Sequence, residues 1–91
     1  MRVAVCDDDF LFLEKTINYI NNWTNKTIDL FVQGFNDGDS LINTHRKDPF
    51  DLIFMDVVMP MLNGIDTGIE IRTFDKNVKI VYLTTDRKSV V

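Results

Sequence analysis

Apolar residues in this chain fall into short blocks that alternate between two periods. Arg2–Cys6 is a continuous β-rich run. It reads as a strand buried on both faces, as in a parallel sheet, and it stops at Asp7-Asp8-Asp9. Phe10, Leu13, Ile17 and Ile20 then share one face at helical spacing, which predicts a helix over Phe10–Trp23 with Asp9 as its N-cap. Asn21-Asn22 leads it into a polar turn. Residues 27–35 are β-rich again and run into the turn residues Asn36-Asp37-Gly38. A short helix is predicted over residues 40–46, capped by Asp37 or Asp39, with Leu41 and Ile42 inward and Asp48-Pro49 as its breaker. Residues 50–56 form a third strand that also ends on an aspartate, Asp56. After a loop containing Pro60 and Asn63-Gly64, residues 65–74 read as a helix. Gly68 weakens that helix by roughly 1 kcal/mol relative to alanine, but it would also permit close packing on a sheet. Residues 78–83 are a fourth apolar strand, ending at Thr84-Thr85-Asp86.

The order β-α-β-α-β-α-β predicts an α/β fold, a doubly wound parallel sheet with helices on both faces and right-handed crossovers. With 91 residues the chain makes one domain, spanning residues 1–91, with a small core. Its composition, 45% hydrophobic and 26% charged, is that of an ordinary globular protein. A net charge of −4 argues against this segment gripping a phosphate backbone, so no direct nucleic-acid binding is expected. Cys6 is the sole cysteine and lies in an apolar run, where it reads as a small buried hydrophobe. No apolar stretch approaches the ~20 residues of a membrane span, and three aspartates interrupt the start of the chain where a signal peptide would be apolar. A cytoplasmic location is expected.

The chemistry collects at one edge. The first strand ends at Asp7 and Asp8, the third at Asp56 and the fourth at Thr84. Doubly wound sheets bind ligands outside the carboxyl ends of their strands, where the strand order reverses. With order 2-1-3-4, the first and third strands are neighbours and the fold brings Asp7, Asp8 and Asp56 together. Three carboxylates at one spot repel one another and call for a cation or protons. An all-oxygen donor set suits Mg²⁺, which keeps several waters and is held by few protein ligands. An aspartate beside a metal is suited to phosphoryl transfer as a nucleophile, and Thr84 offers a hydroxyl to a phosphate oxygen.

Val5-Cys6-Asp7-Asp8-Asp9, the run from Asp51 through Asp56 to Met59-Pro60, Asn63-Gly64 and Val81-Tyr82-Leu83-Thr84 together resemble the receiver-domain signature of two-component response regulators. The resemblance runs along the whole chain in order. It implies a flavodoxin-like fold, with Asp56 as phosphoacceptor, Asp8 as a direct Mg²⁺ ligand and Asp7 as a ligand through water. It further implies that Val58 offers its backbone carbonyl to the metal and that Thr84 is the switch residue meeting the phosphoryl group. The implied donor is a sensor histidine kinase, and the implied role is a signalling switch rather than a classical enzyme. Phe35-Asn36-Asp37-Gly38-Asp39-Ser40-Leu41, Cys6 and the Leu83-Thr84 ending are similar to receivers paired with LytTR-type DNA-binding domains.

The resemblance also implies a fifth strand and further helices, and the chain ends at Ser89-Val90-Val91 with no cap or polar finish. It therefore reads as truncated early in a fourth helix, without the family's phosphate-contacting lysine. Lys79 lies on the wrong edge of the fourth strand, and a substitute role for Lys88 has no support. Weak phosphorylation is expected on that ground, and equal rates in a version extended through a fifth strand would refute it. An open fourth strand invites self-association, against which a monomeric sedimentation profile would count. Among rival functions, a hydrolase of the haloacid dehalogenase type needs an aspartate where Val58 stands, and a flavin carrier needs a phosphate loop where three aspartates stand. A non-phosphorylated interaction module on a receiver scaffold is the alternative. His45, beside Arg46 and Lys47, reads as a cation placed at a helix C-terminus.

Overall fold

The computed structural model describes residues 1–23, 29–57 and 63–83. Four parallel strands, β1 (Arg2–Cys6), β2 (Phe31–Phe35), β3 (Leu52–Asp56) and β4 (Lys79–Leu83), form one sheet in the order β2-β1-β3-β4. Three helices alternate with them: α1 (Phe10–Trp23), α2 (Gly38–Lys47) and α3 (Gly64–Phe74). The α/β class and the element sequence are those the hydrophobic pattern predicts, and the strand order is that of the fold the resemblance implies.

Residue alternation along the central strands builds two cores, one on each face of the sheet. Val5 of β1 packs with Leu13 and Ile20 of α1, and Ile17, Val32 and Phe54 border them. Ala4 and Cys6 of β1 and Ile53 and Met55 of β3 point the other way, into a larger cluster with Leu41 and Ile42 of α2 and Ile71 of α3. Central strands buried on both faces explain why their sequences are continuous apolar runs rather than alternating ones.

Several boundaries differ from the sequence reading. β2 begins at Phe31, with Leu30 outside it and residues 27 and 28 outside the described segments. Phe50 is buried but precedes β3, because the Asp51 amide hydrogen-bonds to the Arg2 carbonyl before the regular ladder starts. Val78 is likewise buried just ahead of β4. α2 starts two residues earlier than predicted and ends one later; its cap is Asp37, whose Oδ1 accepts from the Ser40 amide at 2.7 Å. α3 starts at Gly64 because the Asn63 side chain accepts from the Asp66 amide at 2.8 Å. Asp9 does cap α1, accepting from the Phe12 amide at 3.3 Å. Phe10 is a correction: it sits in the first turn of α1 and is 63% exposed instead of joining the inward face.

His45 is a second correction. It does stand in the last turn of α2, but it is buried and both ring nitrogens are engaged. Its Nδ1 accepts from the Phe50 amide at 3.0 Å, which puts the ring proton on Nε2, donated to Asp75 Oδ2 at 2.8 Å. The ring stacks on Phe50 and tilts against Phe74, tying the end of α2 to the segment before β3 and to the end of α3. Arg46 and Lys47 do occupy the last turn as expected.

Candidate functional site

Parallel register fixes the site. Cys6 of β1 pairs with Met55 of β3, so the next residues of the two strands, Asp7 and Asp56, emerge side by side at the carboxyl edge. This is the point where the chain order reverses, since β1 connects outward to β2 while β3 leads to β4 on the other side. Asp7, Asp8 and Asp56 each present a carboxylate oxygen, and these oxygens all lie within 4.8 Å of one another. Asp56 is 0% exposed and Asp7 1%, whereas Asp8 faces solvent.

Backbone hydrogen bonds hold the segments that carry Asp7 and Asp56. The Asp7 amide donates to the Phe35 carbonyl at 3.0 Å, which fixes the chain leaving β1 against the end of β2. Asp7 Oδ1 accepts from the Asp9 amide at 2.9 Å, an Asx-type turn that swings Asp8 outward and starts α1. On the other side, the Val57 amide donates to the Leu83 carbonyl at 3.0 Å and the Val57 carbonyl accepts from the Gly64 amide at 3.1 Å. The residue after Asp56 is thus tied to both β4 and α3. Gly64 lies so close that a side-chain carbon there would overlap the Asp56 carbonyl, a packing demand that only glycine meets.

Cys6 is buried beside this cluster, and its thiol donates to the Asp37 carbonyl at 3.5 Å. Burial, reinforced by the negative charges of Asp37, Asp7, Asp56 and Asp8, pushes the thiol up from 9.0 to about 12. It is a packing residue and a poor nucleophile, in line with the sequence reading. Met55 is also fully buried packing.

The donor chemistry fits a hard divalent cation. Three carboxylates, two of them buried, concentrate negative charge where solvent cannot screen it, and an all-oxygen set with an exposed member leaves room for water ligands. Among the described residues this is the cluster of metal-ligating side chains that the fold assembles. Val58 and Thr84, like Met59, Met61, Thr85, Lys88 and the chain's last residues, lie outside the described segments. Lys79 pairs with Leu52 at the opposite end of the strands from Asp56, as the sequence reading has it.

The profile of the response regulator receiver domain family matches residues 3–91. The chain belongs to this family. As a receiver domain it is a two-component signalling module, and its curated relatives include transcription regulators. Transcription factor SKN7 of Saccharomyces cerevisiae is 42% identical over 83 residues, 91% of this chain and 12% of that protein. The uncharacterized transcriptional regulatory protein YxjL of Bacillus subtilis is 38% identical over 86 residues, 93% of this chain and 38% of that one. The receiver thus spans well under half the length of these relatives. Its fold is shared with the response regulator TrrA of Thermotoga maritima, solved in complex with Mg²⁺ and beryllofluoride, at a TM-score of 0.83 and 23% identity over 96% of this chain and 71% of that one. The Vibrio cholerae chemotaxis protein CheY4 gives 0.81 and 24%, over 93% and 68%. No helix among the described residues is long and apolar enough to cross a membrane.

Proposed function

We propose that this receiver takes a phosphoryl group from the phosphohistidine of a sensor histidine kinase onto Asp56, and that the resulting change controls an output domain. The observation that carries the proposal is the convergence of Asp7, Asp8 and Asp56, with oxygens within 4.8 Å, at the carboxyl edge where β1 and β3 meet. Asp56 is the member best placed as acceptor. It ends the central strand β3, it is fully buried, and its neighbour Val57 is anchored on two sides, so its carboxylate is oriented before the donor arrives.

In the transfer, an Oδ atom of Asp56 forms a bond to phosphorus as the donor's P–N bond breaks, and the electron pair returns to the imidazole nitrogen. Asp7, Asp8 and Asp56, with the Val58 carbonyl, would hold Mg²⁺. When bound, that ion supplies neutralisation of charge on the transferring oxygens. Asp7, held by the Asp9 amide, keeps its orientation through the reaction. The Thr84 hydroxyl, next in sequence after β4, would donate to a phosphoryl oxygen, and recruiting it would shift the population towards an active arrangement. These steps run in the cytoplasm, where kinase and output domain meet.

The test is phosphate incorporation from acetyl phosphate, read by intact mass with and without Mg²⁺, in the wild type and in Asp56→Asn. A single Mg²⁺-dependent phosphate that disappears in the variant is expected. No phosphate in the wild type would instead favour the alternative, a receiver scaffold used as a non-phosphorylated interaction module.

A further inference from the structure

Gly68 is buried in the middle of α3, and the Tyr82 phenol of β4 lies against it. A side-chain carbon at this position would overlap the Tyr82 hydroxyl and press on the ring carbon that carries it, 3.1 Å away. None of the glycines has a positive φ, so what glycine accommodates here is the close approach of the Tyr82 ring and not a special backbone conformation. A glycine within a helix is less favourable than alanine, and the close contact is what it allows. Gly64 stands four residues earlier on the same face, against the Asp56 backbone. The helix therefore meets the sheet at two glycines one turn apart, one over the strand that carries Asp56 and one over β4.

The two contacts are mechanically linked. One helical turn rises about 5.4 Å, and over that length α3 moves as a rod. The Gly64 amide reaches the Val57 carbonyl at 3.1 Å, close to the long end of the ordinary N–H···O range of about 2.7–3.2 Å. A lift of the helix at Gly68 would lengthen it beyond that range. Tyr82 is 41% exposed, so its ring has room to leave, and if it leaves, α3 loses the contact at Gly68 that adds to the seat Ile71 makes in the core.

We propose that Gly68 and Tyr82 form a positioning clamp for the phosphoacceptor: the ring seated over Gly68 holds α3 low on β4, which keeps Gly64 bonded to the residue next to Asp56. The proposal rests on the reading of Asp56 as phosphoacceptor. Neither residue touches the reacting atoms; both act through Gly64 and Val57.

The test compares the wild type, Gly68→Ala, and Gly68→Ala combined with Tyr82→Phe. Two quantities are read: the rate of phosphate incorporation from acetyl phosphate with Mg²⁺, normalised to the folded fraction, and the hydrogen-exchange protection of the Gly64 amide. Gly68→Ala is expected to slow incorporation roughly tenfold, the scale of a small misplacement of a reacting group, and to lower Gly64 protection. Adding Tyr82→Phe removes the one oxygen that the new methyl meets, and should bring the rate back to within about threefold of the wild type, together with the protection. Tyr82→Ala empties the seat without crowding the helix and should produce the same two losses if Gly68→Ala does not fold. Unchanged rate and protection in Gly68→Ala, or losses that Tyr82→Phe leaves in place, would overturn the clamp. If the wild type takes no phosphate, the phosphoacceptor reading fails by itself, and loss and rescue of Gly64 protection in the same proteins still decides the clamp.

Discussion

Asp75 receives three donors at the C-terminal end of α3: the Asn77 and Val78 amides at 2.9 and 3.1 Å and the His45 Nε2–H at 2.8 Å. The Asn77 amide first, then the His45 and Val78 bonds, outweigh partial burial and hold its carboxyl below the ordinary value of 3.8. A carboxyl depressed in the folded state adds stability that is fully present above its unfolded value and is lost as pH falls through the folded one. Asp75→Asn should therefore destabilise the protein at neutral pH and flatten the acid limb below about pH 4. Urea midpoints measured from pH 7 down to pH 3 check this; an acid limb of unchanged slope in the variant would refute it. His45 owes its role to the same contact. Its place beside two cationic residues suggests a helix-end charge, but the periodic position that turns it inward only matters once α3 delivers Asp75 to it.

At the scale of elements, the helices start where side-chain oxygens meet orphan amides. Asn63 is the clearest case, since its Oδ1 accepts from the Asp66 amide and its carbonyl from the Thr67 hydroxyl at 3.0 Å. Asn63→Ala should cost about 1 kcal/mol of stability, read by urea unfolding. The cost should be accompanied by weaker protection of the Gly64 amide, because the cap and the Val57 bond begin the same turn. The caps and breakers were legible as Asp9, Asp37 and Asp48-Pro49, and the strands as apolar runs. The one- to four-residue differences at strand starts were not, because a strand begins where a neighbour offers its hydrogen bonds. Phe50 and Val78 are as apolar as any strand residue, yet they pack into the core before the ladder takes hold. Phe10 fits the helical period and still faces solvent.

For the molecule as a whole, the acidic site gathers carboxylates whose mutual repulsion a bound cation would relieve. Two buried carboxylates and an exposed one share one edge, so Mg²⁺ binding to the folded state should raise the thermal midpoint. The expected gain is about 2.7 kcal/mol at a hundredfold excess over Kd. Chelation should reverse it, and Asp8→Asn should shrink it while leaving the fold intact, because Asp8 is the solvent-facing member. A midpoint that ignores Mg²⁺ in the wild type would remove the metal from the proposed mechanism.

By itself the sequence determined which segments form strands and helices, that the sheet is parallel, and that aspartates end the first and third strands. Those features are local: apolar run length, periodicity, caps and breakers act between near neighbours along the chain. That Asp7 and Asp56 could meet also followed from the sequence, because few topologies suit β-α-β-α-β-α-β and the likeness to receivers selected among them. Only the tertiary structure decided that Cys6 pairs with Met55 and so sets the two aspartates level. It alone turned His45 inward towards Asp75, laid Tyr82 over Gly68 and placed Gly64 on the Asp56 backbone. These are contacts between residues from different elements, and their distances depend on how closely a helix lies on the sheet, which no pattern along a single segment encodes.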